Sequence, residues 1–390
     1  MLGFEFATAT RVLFGSGKVA EAPGLLRDLG GKRVLLVTGK NPARAEPLRE
    51  RLASAGLDVV TFAVPGEPTV ELACAGAAHA IHERCNAVVA FGGGSALDAG
   101  KAIAALATNP GDPLDYLEVI GRALPLRHAP LPFLAIATTA GTGSEVTRNA
   151  VLLSRSARVK VSLRSPLMLP TAAIIDPELL IGAPPAVLVS SGVDALSQLI
   201  EPFLSPKANP LTDSLAREGI RRSVRALRPA VLDGATNDRR EDLAVASLFG
   251  GLCLANAGLG AVHGFAAPAG GMFEAPHGAV CAALLAPVVA VNARALRERA
   301  PSHPSLARLE ELGVLVTGNG HAGADDAITW LEHLRRDLAV PGLHRYGMNA
   351  RDIPALVEKA KVASSMKGNP LVLTDQELTD IATQALADAS

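Results

Sequence analysis

No two cysteines in this sequence stand close enough to make a CxxC element. The four present, Cys74, Cys85, Cys253 and Cys281, are scattered along 390 residues. A structural zinc site or a disulfide lattice needs paired, closely spaced thiols, so these four read as buried small hydrophobes in a reducing compartment. A dominant charge is lacking as well. With 37 basic and 38 acidic side chains the chain has no field with which to hold nucleic acid or an anionic membrane. A small neutral or weakly charged ligand fits better. No stretch reaches about 18 uninterrupted apolar residues, and the opening MLGFEFATATRVLFG has no basic segment leading into an apolar one. These absences point to a cytoplasmic protein that neither crosses a membrane nor is exported.

What is present is an alternation. Short apolar runs, RVLLVT (33–38), LDVVTFAV (57–64), AVVAFGGG (87–94) and FLAIATT (133–139), are separated by stretches rich in Ala, Leu, Glu and Arg at 43–55, 69–84 and 95–107. That order predicts parallel strands joined by crossover helices. After IIDPELLIGAPPAVL (174–188) strand-like runs nearly vanish and Ala- and Leu-rich segments continue to the end. The length is too great for one ordinary core. Two domains are expected: residues 1–186, α/β and nucleotide-binding, and residues 187–390, all helical.

AVVAFGGGSALDAGKAIAAL (87–106) carries a strand through three glycines and Ser95 directly into an amphipathic helix. Such a junction aims backbone N–H groups and a positive helix end at one point, where a phosphate sits without a side chain in the way. Ser95 is also a candidate helix cap. The bland alternative is a glycine turn that only lets strand and helix pack closely. A second loop, ATTAGTGSEVTRNA (137–150), again follows a strand and supplies the hydroxyls of Thr138, Thr139, Thr142, Ser144 and Thr147. Two polar glycine-bearing loops at strand ends favour a bound dinucleotide.

In the second half, Asp194, His263 and His277 lie in apolar, glycine-punctuated surroundings where a stray ionisable group is costly. A lone histidine in such a place is more often a hydrogen-bonded core residue. Two imidazoles and a carboxylate together, however, are ligands that Fe(II) and Zn(II) both accept. The other seven histidines, in contexts such as IHER and LEHLRRD, read as solvated surface.

The segments GGGSALDAGK and TTAGTGSE, with FGSG, VTGKN at 37–41, GEPT at 66–69, DPEL at 176–179, GVDALSQLIE at 192–201 and GAVHGFAAPAGGMFEAPHGAV at 260–280, resemble the iron-containing alcohol dehydrogenases in order and spacing. The resemblance implies the dehydroquinate synthase-like fold of that family, and an NAD(P)-dependent oxidoreductase that uses a divalent metal to polarise an alcohol or carbonyl oxygen. It puts Gly93, Gly94, Ser95 and Asp98 at the pyrophosphate and Thr138, Thr139 and Thr142 along the cofactor. Asn149 and Lys160 fall toward the ribose and nicotinamide, with Lys160 also among the catalytic residues. Asp194, His263 and His277 become metal ligands, and the chain a homodimer, with FEFATATRVLF as the pairing segment.

Two positions depart from the pattern. The family's DAxxH places a ligand histidine one turn after the aspartate; this chain has Gln198, whose amide oxygen is a neutral, weaker donor. The site then has either three strong protein ligands or a weak fourth. Ala267 stands where many relatives carry a histidine near the substrate, leaving proton exchange to a ribose hydroxyl and water and opening the pocket toward Phe265, Met272 and Phe273. At the end of the second strand Gly39 carries no carboxylate to repel a 2′-phosphate, and Lys40 and Arg44 follow, so NAD and NADP are both admitted. The rivals are a maleylacetate reductase-like enzyme, a dehydroquinate synthase-like lyase, and a degenerate dinucleotide-binding protein without metal.

Overall fold

The structure, a computed structural model, describes residues 3–388. The chain forms two compact units: residues 7–182, and residues from 183 onward joined by 3–6. The chain leaves the first unit somewhat before residue 186. Gly182, at a φ of 74°, ends it, and the pair Pro184 and Pro185 opens the first long helix of the second. A proline at the first helical position is preorganised for that start.

The first unit holds a six-stranded parallel sheet of β1 (Val12–Phe14), β2 (Arg33–Thr38), β3 (Asp58–Ala63), β4 (Ala87–Gly92), β5 (Phe133–Ala137) and β8 (Ala172–Ile175). Strands β6 (Asn149–Ser154) and β7 (Val159–Arg164) form a separate antiparallel hairpin. The helices are α1 (Ala22–Asp28), α2 (Glu46–Ser54), α3 (Val70–His82) and α4 (Gly94–Leu106). The four apolar runs are strands and the intervening stretches helices, as the alternation predicts.

The order β1-β8-β5-β4-β2-β3 is parallel throughout, which requires both faces to be covered. The pleat shows how. Val34 and Leu36 join the core that contains α1 and α2 residues, while Leu35 and Val37 join the core that contains Leu97 and Ile103 of α4. Strand order reverses at β2, flanked by β3 and β4, so the ends of β2 and β4 form a switch point where α/β sheets bind ligands.

The hairpin and β8 were not expected. The hairpin's alternation is broken by Arg155, Arg158 and Lys160, and β8 is four residues long. Asp176, just beyond β8, explains two of the quoted motifs structurally. Its carboxylate accepts from the N–H groups of Gly17 (3.1 Å), Val19 (3.0 Å) and Glu178 (3.0 Å), tying DPEL to FGSG.

The second unit consists of α5 (Pro185–Leu204), α6 (Pro210–Leu232), α7 (Asn237–Ala257), α8 (Ala261–Phe273), α9 (His277–Arg299), α10 (Pro304–Thr317), α11 (Ala324–Asp337), α12 (Ile353–Lys361) and α13 (Asp375–Leu386). Among the described residues no strand follows β8. α5 and α9 are long and apolar enough to cross a membrane by length and composition, but most of each lies buried inside this unit. They are its central helices, packed on each other, with α6 and α7 against α5 and α8 and α13 against α9.

Candidate metal and nucleotide sites

Asp194, Gln198 and Glu201 recur at four- and three-residue steps along α5, so the three polar groups share one face of a buried helix. α9 reaches that helix because of Gly278: a Cβ there would lie 2.4 Å from the backbone oxygen of Ser190 on α5. His277, the first residue of α9, is thereby brought beside Asp194. α8 is fixed at its N-terminus. Glu201 Oε1 accepts from Val262 N–H at 2.6 Å, and Asn369 Oδ1 accepts from Ala261 N–H at 3.2 Å. These two acceptors satisfy helix-end donors that have no partner within the helix. Gly260 permits the approach, since a Cβ there would sit 3.0 Å from Glu201 Oε1.

The result is a cluster of Asp194, His263, His277 and Cys281, one ligand atom of each lying within 4.8 Å of every other. Asp194 Oδ1 is 3.2 Å from His263 Nε2 and 3.8 Å from His277 Nε2. It is buried and makes no hydrogen bond of acceptable geometry. A buried acceptor of that kind costs about 1–3 kcal/mol unless something else meets it. Ligand atoms at about 2.0 Å from a tetrahedral ion stand about 3.3 Å apart, so the donor set fits a divalent cation.

Glu201 supplies the outer support. Its Oε2 lies 2.6 Å from His263 Nδ1, with both side chains 5% exposed. With a proton held on Nδ1 by Glu201, a bound ion would displace the Nε2 proton and take that lone pair, the arrangement metal-binding imidazoles use. Burial by itself would raise the Asp194 carboxyl, but the His277 and His263 imidazoles outweigh it and hold its pKa below the usual value. Burial would likewise lower His263, yet Cys281 and the Glu201 and Asp194 carboxylates beside it outweigh that and raise it well above 6.5. The site is strongly disposed toward positive charge. Burial pushes the Cys281 thiol up to about 12, against the lowering pull of His263.

Gln198 is 2% exposed, and its Oε1 is buried without a hydrogen-bond partner. It borders α7, where a Cβ on Gly250 would lie 3.4 Å from that oxygen. Ala267 is partly exposed. Phe265 is fully buried in the helical core, so its ring does not line an opened pocket; Met272 and Phe273 are partly exposed. The remaining histidines are exposed or half-buried, and His303 accepts from Ser305 N–H as the cap of α10.

In the first unit the two glycine loops pack on one another. A Cβ on Gly93 would lie 3.1 Å from Thr139 Oγ1, and one on Gly94 would lie 2.7 Å from Thr142 Cγ2. The close-packing role is therefore real beside any phosphate role. Gly93 is the N-cap of α4, and Ser95, the second helical residue, is no cap because the helix begins two residues earlier than a serine cap requires. Thr138 donates its N–H to Gly92 O at 2.9 Å. Asp98 clasps the loops rather than facing them: Oδ1 accepts from Ser144 Oγ at 2.5 Å and Oδ2 from Val151 N–H at 3.1 Å.

Lys101, fully buried, adds hydrogen bonds to Ser144 O at 2.9 Å and Thr147 Oγ1 at 3.0 Å, with Asp98 Oδ1 at 3.2 Å. Gly39 follows β2 at the switch point and has no atom within 4 Å of a Cβ position. Arg44 donates to the Leu179 carbonyl at 2.8 Å, and both it and Lys40 are exposed cations there. Asn149 begins β6 and is half-buried; Lys160 on β7 is buried and pairs with Glu67 Oε1 at 3.0 Å.

Sequence reasoning missed Glu201, Lys101, Asn369 and the part of Cys281. The available signals were spacing: Glu201 falls two turns after Asp194, Cys281 one turn after His277, and Lys101 one turn after Asp98.

Residues 9–177 match the family described as iron-containing alcohol dehydrogenase, and residues 188–386 match the C-terminal part of the same family. A 1,3-propanediol dehydrogenase of Klebsiella pneumoniae is 35% identical over 98% of both chains. An NAD-dependent methanol dehydrogenase of Bacillus methanolicus is 34% identical over 96% of this chain and 97% of its own. A crystal structure of a 1,3-propanediol oxidoreductase superposes with a TM-score of 0.90 at 33% identity, covering 98% of this chain and all of that one.

Proposed function

The chain belongs to the iron-containing alcohol dehydrogenase family and is an oxidoreductase acting on CH–OH groups, and from that premise we propose that it interconverts a small alcohol and its aldehyde with NAD or NADP as hydride carrier. The observation that carries this reading is the cluster of buried Asp194 and His263 with half-buried His277, and Glu201 behind His263. A divalent ion, Fe(II) or Zn(II), when bound there supplies Lewis acidity toward the alcohol or carbonyl oxygen.

The residues do the rest. Asp194 offers an unmet buried oxygen, Glu201 fixes the tautomer of His263, and Gly278 lets His277 approach. In the α/β unit the first turn of α4, with Gly93, Gly94 and Ser95, is the pyrophosphate seat, and Thr138, Thr139 and Thr142 line it. Asp98 and Lys101 hold the two loops together. Asn149 and Lys160 are assigned to the ribose and nicotinamide end. Open space at Gly39 supports acceptance of both cofactors. The nicotinamide carries the hydride, and the protein positions it.

The reading extends to a cytoplasmic homodimer. The four free thiols suit a reducing compartment. β1 is an edge strand of the sheet, with Val12 and Phe4 among the exposed large hydrophobics near it in sequence. The metal-free, degenerate alternative is disfavoured by the cluster itself, which gathers a buried carboxylate, two imidazoles and a thiol at one point.

The test is turnover of an alcohol and aldehyde panel with each cofactor, followed by nicotinamide absorbance, on protein purified without air, then stripped and reloaded with Fe(II) or Zn(II). Metal-dependent hydride transfer is the expected result. Full turnover after removal of all divalent metal, or none with any substrate before it, would overturn the reading.

A further inference from the structure

Cys281 stands one helical turn beyond His277 on α9, fully buried, with Sγ 3.7 Å from His277 Nε2 and 3.9 Å from His263 Nε2. We propose that Cys281 is itself a ligand of the ion, so that this chain holds its metal through Asp194, His263, His277 and a thiolate. The inference rests on the metal reading above and names a donor which that reading does not require.

Three observations support it. A tetrahedral ion with metal–sulfur and metal–nitrogen bonds of about 2.3 and 2.0 Å sets its sulfur and nitrogen ligands about 3.5–3.6 Å apart. The two measured sulfur–nitrogen separations are within a few tenths of an ångström of that edge. All four ligand atoms, moreover, already lie within 4.8 Å of one another, and the Asp194 oxygen among them is unmet. Finally, the position where the fourth strong donor was expected holds Gln198, a neutral amide whose oxygen borders Gly250 of α7. A neutral amide is the poorer competitor for a transition ion.

A buried thiol with no ligand role ordinarily spends its weak donor on a carbonyl. Cys253 does so, toward Thr212 O at 3.4 Å. Cys281 instead faces two imidazoles and a carboxylate. On metal binding the S–H bond is replaced by a sulfur–metal bond and the proton leaves to solvent. A fifth position remains for the substrate oxygen, since catalytic zinc expands to five-coordination.

The experiment uses the full-length protein, stripped of metal and reloaded anaerobically with one equivalent of Co(II). The expected spectrum combines visible ligand-field bands with an intense near-ultraviolet thiolate-to-cobalt charge-transfer band. That band persists in Gln198→Ala and disappears in Cys281→Ser, whose retention of cobalt against a chelator falls at least tenfold. Cys281→Ala repeats the test should the serine variant fold poorly, with circular dichroism as the control for folding. Ligand-field bands without charge transfer in the wild type, or a charge-transfer band that survives in Cys281→Ser, would overturn the thiolate and leave the metal site standing. Failure of the wild type to take up cobalt at all would bring down the metal reading and this inference with it.

Discussion

Glu201 and His263, separated by 62 positions in sequence, meet at 2.6 Å between Oε2 and Nδ1, while the other oxygen of the same carboxylate holds the Val262 N–H. One side chain on α5 thus sets both the start of α8 and the orientation of its histidine. Helix geometry alone would leave the imidazole free to rotate and to exchange tautomers. The carboxylate removes that freedom from behind the ring, on the side away from Asp194.

Glu201→Gln should therefore weaken metal binding by about 10–100-fold, the usual cost of losing such a partner. The amide retains one acceptor for Val262 but no longer stabilises the Nδ1–H of His263. Competition with a chromophoric chelator measures the affinity. An unchanged value would show that the His263 tautomer is set by something else.

Asp176→Ala should cost about 2–4 kcal/mol of stability. The aspartate is 2% exposed and accepts from three backbone N–H groups that would be left without it. Urea unfolding of the variant, compared at equal slope with the wild type, gives the difference. A loss under about 0.5 kcal/mol would mean that water replaces the carboxylate there.

The fold was legible where periodicity was strong and hidden where charge interrupted it. RVLLVT and AVVAFGG read as strands buried on both faces, and they are. The hairpin over residues 149–164 gives no strand signal because Arg155, Arg158 and Lys160 punctuate it. Asp194, His263 and His277 stand out in the sequence because ionisable groups in apolar surroundings need a reason, and the structure brings the three together. Cys281 was read as a small hydrophobe because a thiol in an Ala-rich helix is ordinarily that, and only the arrival of His263 on a different helix changes its meaning. At Gly94 the sequence leaves a phosphate role and a close-packing role open together, and the structure shows the second: a side chain there would collide with Thr142.

Gly39→Asp is the cleaner probe of the cofactor, because no atom lies within 4 Å of the new Cβ. A carboxylate at this strand end accepts from the ribose hydroxyls and repels a 2′-phosphate. The ratio of kcat/KM for NAD over NADP should rise at least tenfold. No movement in that ratio would remove Gly39 from the adenosine ribose.

Glu145 predicts a pH dependence of stability. Burial pushes its carboxyl from 4.5 up to about 7. Between those values the folded chain keeps a proton that the unfolded chain has lost, so stability is greatest below about 4.5 for this group and falls as pH rises through about 7. The full effect is at most about 3 kcal/mol. Glu145→Gln cannot ionise and should flatten that part of the curve, leaving the variant more stable than wild type at pH 8 by urea unfolding. The same slope in both proteins would assign it to another group.

The last prediction concerns the position where this chain departs from its family. His263→Ala removes a buried ligand that no neighbour can replace, so metal retention and most activity should be lost. Gln198→His should do the reverse. The residue lies one turn beyond Asp194 on the same face of α5, is 2% exposed, and has an amide oxygen that nothing in the fold engages. An imidazole there loses no hydrogen bond that the glutamine oxygen was making, and Gly250 opposite presents no side chain to it. Dialysis against a chelator should release Fe(II) or Zn(II) at least tenfold more slowly than from wild type. Turnover need not rise with it, since an ion surrounded by strong donors is a weaker Lewis acid. If His263→Ala keeps full activity and Gln198→His leaves retention unchanged, the cluster on α5, α8 and α9 is not where the metal acts.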